Sequence, residues 1–119
     1  MRDFNRIIEE YKTCAILHWN ASREGDYKTA NKNYTKLSKK YRVFLDSKEI
    51  REAVLPQLLN DDSFAVILWA AAHSLGLGKD KDEALLKLEQ ISKMSANEAP
   101  SFEAKMILKV WREKGSLTF

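Results

Sequence analysis

The chain has 119 residues, 45% of them hydrophobic, enough to form one ordinary domain around its own core without a metal or disulfide staple. Four Gly and two Pro argue against a turn-rich, many-stranded fold, and a single cysteine, Cys14, excludes an internal disulfide and fits a reducing compartment. The net charge of +3, from twenty basic against seventeen acidic residues, falls well short of a nucleic-acid-binding tail.

The N-terminal residues alternate charge with apolar side chains and lack the roughly 7–15-residue apolar core of a signal peptide. The longest apolar run, over 64–72, has nine residues, against the ~20 that span a bilayer. A cytoplasmic protein making no use of a membrane is expected.

Six helical segments follow in chain order. The first is expected over 3–22, with Phe4, Ile8, Tyr11, Ala15, His18 and Ser22 on one face. Its stretch from Cys14 to Trp19 is apolar nearly all round, which marks central burial or a contribution to an interface. Gly25 suits a left-handed helix end, and Asp26 suits the N-cap of the second helix, over 27–45. There Tyr27, Ala30, Tyr34, Leu37, Tyr41 and Phe44 step by three and four, predicting a packing seam.

Ser47 opens a third helix over 48–59, striped by Ile50, Val54 and Leu58 and expected to kink at Pro56. Asn60-Asp61-Asp62-Ser63 reads as a turn carrying its own N-cap residues. The fourth helix, over 64–75, is rich in Ala and bulky apolar residues, and Gly76 and Gly78 end it. Asp80 followed by Glu83 is a capping-box pattern for a fifth helix over 81–94. After the Ala99-Pro100-Ser101 break, a sixth covers 102–114, closed by Gly115, with Leu117 and Phe119 placed to fold back. No segment alternates with period two, and the connections are short. The expectation is one all-α domain of antiparallel helix pairs over 1–46, 47–78 and 79–119.

Within it, Leu58-Leu59, the acidic turn Asp61-Asp62, and a following helix with Val66 and Ala70-Ala71 resemble a HEAT-type helical repeat. HEAT repeats often carry Arg after that Val; Ile67 stands there instead. Over roughly 5–115 the chain resembles a bacterial family catalogued as domain of unknown function 2019. The features that carry this are Gly25-Asp26 leading to Asn31-Lys32, Leu37 and Tyr41, then Leu55-Pro56 with Leu58-Leu59, Leu68-Trp69-Ala70-Ala71, and Ala104-Lys105-Met106-Ile107-Leu108 with Trp111. The resemblance implies a short α-α superhelix of the HEAT/armadillo kind. By analogy it implies a neutralising partner of a polymorphic or contact-dependent toxin.

Catalytic signals are sparse. His18 and His73 fall in different helices, and no HExxH, paired-cysteine, P-loop or GxSxG motif occurs. His18 sits on an apolar face and His73 four residues after Trp69, so both read as core histidines. Asp61 and Asp62 offer too few ligands for a metal and read as a capping turn, and Cys14 reads as inert packing. No enzymatic activity, cofactor or metal is expected.

Binding signals are stronger. Residues 26–48 hold seven basic and two acidic residues, and Lys28, Lys32, Lys36 and Lys40 step by four, with Lys39 beside them. This ridge is a solvated face, a contact for an acidic protein surface, or a phosphate contact. Nucleic acid is the less expected partner, because the seam occupies the tyrosines that would stack on bases. Trp19, off the main stripe of its helix, is the expected exposed anchor. The acidic stretch 80–103, with Asp80 and Asp82, is the other candidate contact, and Asp61 and Asp62 of the acidic turn are candidate partner contacts with them. The expected function is therefore immunity-protein-like binding of a cognate toxin, such as a nuclease, by a monomer or weak dimer. A nucleic-acid-binding helical repeat is the alternative.

Overall fold

The computed structural model describes residues 4–117 and 119, and those residues are all-helical. Six helices follow one another: α1 (Phe4–Glu24), α2 (Tyr27–Asp46), α3 (Lys48–Leu59), α4 (Phe64–Leu77), α5 (Lys81–Ser92) and α6 (Ser101–Lys114). They fall into two compact units, residues 1–58 and 59–119.

In the first unit α1 packs along α2. Gly25 takes the left-handed conformation at φ +75° and turns the chain within two residues. The Asp26 side chain then accepts from Thr29 N at 3.2 Å, capping α2 as its sequence position predicts. Hydrogen bonding from the Thr29 side chain, and after it from the Thr29 backbone N–H, holds the exposed Asp26 carboxyl below its ordinary pKa. Early α1 meets late α2, with Tyr11 against Phe44 at 5.8 Å and Glu10 beside Lys40, so the pair is antiparallel. Tyr11, Leu37 and Phe44 are fully buried, and burial pushes the Tyr11 hydroxyl well above its ordinary pKa.

The seam of α2 differs from the predicted one. Its buried residues are Ala30, Asn33, Leu37, Tyr41 and Phe44, whereas Tyr27 is 72% and Tyr34 40% exposed. Inside it, the Asn33 Nδ2 donates to the Thr29 carbonyl at 3.0 Å, while its buried Oδ1 has no hydrogen-bond partner among the described residues. Tyr27, in the first turn, and Tyr34 lie toward the edge of this stripe.

α3 starts at Ser47 as expected, with Ser47 Oγ accepting from Ile50 N at 3.2 Å. Arg51 ties it to the end of α2 by donating to the Phe44 carbonyl at 3.0 Å. The helix continues through Pro56 to Leu59, the ring removing one backbone donor without ending the helix.

In the second unit α4 packs on α5, and α5 on α6. Every residue of α4 from Ala65 to Leu75 is buried, so its uniformly apolar sequence is that of a core helix. α4 runs past Gly76 and closes on Gly78, in the left-handed conformation. Arg112 on α6 hydrogen-bonds Glu89 on α5. The chain end returns, with the Phe119 ring edge-on to His73 at 4.7 Å. The predicted capping box is absent. Asp80 is itself left-handed (φ 51°) and makes no side-chain cap bond; its carboxylate pairs with Lys79 at 3.3 Å. No helix among the described residues is long and apolar enough to cross a membrane.

Candidate functional site

A groove of about 530 Å³ lies between α1 and α2. Its α1 wall carries Glu9, Glu10 and Thr13, its α2 wall carries Lys36, Lys39 and Lys40, and Cys14 and Val43 supply the apolar lining. The antiparallel pairing creates this arrangement. It sets the acids of early α1 opposite the lysines of late α2, so the two walls bear opposite charge.

The charges are partly spent on each other. Glu10 receives Lys40 at 3.5 Å across the groove and Arg6 at 3.6 Å along its own helix. Lys40 is drawn in by this, its side chain only 20% exposed, while Glu9, Lys36 and Lys39 remain exposed. Cys14 is 7% exposed. Burial raises its thiol pKa, with Lys36 and Lys40 pulling it down and Glu10 pushing it up. The raised pKa keeps the thiol protonated at neutral pH, so it serves as an apolar surface and a poor nucleophile.

Large apolar side chains are exposed on both helices, and of these Val43 lines the groove. On α1, Ile16 is 36% and Leu17 43% exposed; on α2, Val43 is 37% and Leu45 51% exposed. Leu17 follows Thr13 by four residues, one helical turn further along the same wall. The apolar stretch of α1 is therefore split between core (Cys14, Ala15) and surface (Ile16, Leu17).

The predicted residues are dispersed. Lys28 and Lys32 are exposed on α2 outside the groove; Lys36, Lys39 and Lys40 line it. Trp19 is half-buried, with the Arg23 guanidinium 4.7 Å from its ring centroid, and does not line the groove, so the expectation of an exposed anchor is corrected. Asp61 is half-buried and accepts from Ser63 N at 3.0 Å, shaping the turn before α4, while Asp62 is exposed. Asp80 and Asp82 are exposed at the start of α5. His18 is half-buried and His73 fully buried. Trp69 meets His73 edge-on at 5.8 Å, and desolvation lowers the His73 pKa to about 3. Among the described residues no group of three or more His, Cys, Asp or Glu is placed to hold a metal ion.

Glu9, Glu10, Thr13 and Val43 were not candidates from sequence. The only available signal was the amphipathic phase of α1, which turns Glu9, Thr13 and Leu17 toward one side. No family model, no curated protein and no solved structure matches the chain.

Proposed function

We propose that this chain is a non-catalytic binding module that holds another protein, and that it acts as an immunity protein, occluding the active site of a cognate toxin. The observation that carries this reading is the exposure of Val43 in a groove whose walls bear opposite charges, with the exposed Leu17 one turn beyond Thr13 on the α1 wall. Exposed apolar side chains rimmed by charge are the composition of a protein interface. The resemblance to the domain of unknown function 2019 family supports the immunity role by analogy, and the binding role stands on the surface alone.

The nucleic-acid reading gains one observation, since Tyr27 and Tyr34 lie outside the seam and are exposed. Their placement counts against joint use with the lysines. At 3.6 residues per turn, Tyr34 and Lys36 point about 160° apart around α2. A strand laid on Lys36 and Lys39 would turn its bases away from the tyrosines.

The deciding experiment is recovery of tagged protein from its native cells at moderate salt, followed by assay of what is bound. A stoichiometric protein whose toxic activity is silenced on binding, encoded beside this chain, is the expected result. Recovery of RNA or DNA alone, released as salt rises, overturns the proposal.

A further inference from the structure

Resting on the protein-binding reading above, we propose that the α1–α2 groove docks an acidic peptide segment of the partner. Its carboxylates lie along Lys36 and Lys39, and one apolar side chain sits on Cys14 and Val43. Three features of the groove specify this occupant.

The first is charge. Glu10 answers Lys40, leaving Lys36 and Lys39 as exposed cations whose charge no ion pair among the described residues neutralises. The second is the apolar lining, where Cys14 is 7% and Val43 37% exposed, with Leu17 a turn further on. A salt bridge on a wet surface contributes little, so the apolar contact must supply much of the affinity and the lysines the register. The third is the α1 wall, where Glu9, engaged by no ion pair among the described residues, repels anions and confines them to the α2 side. A polynucleotide, charged at every residue, would run phosphates against that wall. A peptide can place acids on one side only. The volume of about 530 Å³ accommodates a few side chains rather than a whole domain face.

The test uses the full chain, ¹⁵N-labelled, with two matched helical peptides, one built from Leu and Glu and the other with every Glu replaced by Lys. The Leu/Glu peptide is expected to shift the amides of residues 9–14 and 36–43 and to bind about tenfold more tightly than its Lys counterpart. The double variant Lys36→Glu/Lys39→Glu, at exposed positions that leave the core intact, is expected to reverse that preference. Lys28→Glu/Lys32→Glu, outside the groove, is expected to leave it. Equal binding of the two peptides, shifts outside the groove, no binding of either, or stronger perturbation of these amides by a single-stranded RNA oligonucleotide each overturns the proposal. The two readings fail separately. A toxin partner that binds Lys36→Glu/Lys39→Glu with unchanged affinity removes the groove and leaves the immunity role. Selective capture of the acidic peptide with no protein partner in cells does the reverse.

Discussion

Ser47 closes one helix and opens the next. Its N–H donates to the Val43 carbonyl at 3.0 Å, and its Oγ accepts from Ile50 N at 3.2 Å. Ser47→Ala keeps the first bond and loses the second, orphaning a donor at the start of α3, and is expected to cost about 1 kcal/mol in urea unfolding. His73 makes a different kind of residue-scale prediction. Its folded-state pKa of about 3 lies below the ordinary 6.5. Between those values the unfolded chain binds a proton that the folded chain refuses. The histidine's contribution is therefore fully present above the unfolded pKa and is lost as pH falls through the window from 6.5 toward 3. By pH 5 the loss amounts to about 2 kcal/mol. Denaturant midpoints measured at pH 7 and pH 5 are expected to differ accordingly, and His73→Leu, which cannot titrate, is expected to show a smaller difference. Equal pH dependence in both proteins would mean that His73 does not carry the acid sensitivity.

At the scale of elements, α2 separates what periodicity fixes from what it does not. Steps of three and four identify a helix with one buried face, and that much was legible. Tyrosine, however, is as much at home at an edge as in a core, so its presence in a 3-4 pattern did not decide the phase. Asn33, a polar residue outside the predicted seam, is buried, with its Nδ2 reaching the carbonyl one turn back. The observed phase predicts that Leu37→Ala costs 2–5 kcal/mol while Tyr27→Ala stays within about 0.5 kcal/mol. The predicted phase would make both costly, and thermal or urea unfolding of the two variants distinguishes them. The entry to α5 was misread for a similar local reason. Asp80 and Glu83 satisfy the capping pattern, but α4 closes immediately before them, with the N–H of Gly78 reaching Leu75 and Ser74 carbonyls and Lys79 N reaching Ser74 O at 2.9 Å. That closure leaves Asp80 as the reversing residue, in the left-handed region that Asp tolerates, and its side chain turns to Lys79. The groove was legible only by half. Lysine spacing on α2 could be read directly, but its apposition to Glu9 and Glu10 depends on the register of two helices whose paired residues, Glu10 and Lys40, are far apart in the chain.

At the scale of the whole molecule the charge is unevenly divided. Residues 1–58 carry twelve basic against eight acidic side chains, and residues 59–119 carry eight against nine. The excess of the first unit is modest, and α2 concentrates it. Lys28, Lys32, Lys36 and Lys39 are exposed there, while Lys40 is engaged by Glu10. At most about four phosphates can be neutralised by such a ridge, so binding to a single-stranded RNA oligonucleotide is expected to weaken with salt at a log–log slope no steeper than about −3. The affinity at physiological salt is expected to be in the weak range of non-specific contact, with a dissociation constant of about 10⁻⁴–10⁻⁶ M. Fluorescence anisotropy titrations at several salt concentrations measure both quantities. A steeper slope would require cations beyond the ridge, drawn from Arg42 or from the second unit, and together with nanomolar affinity it would favour the nucleic-acid reading. A shallow slope and weak binding, beside tight and weakly salt-dependent association with a protein, are what the opposed walls of the α1–α2 groove predict. There Glu9 opposes a polyanion for the same electrostatic reason that Lys36 and Lys39 attract a carboxylate.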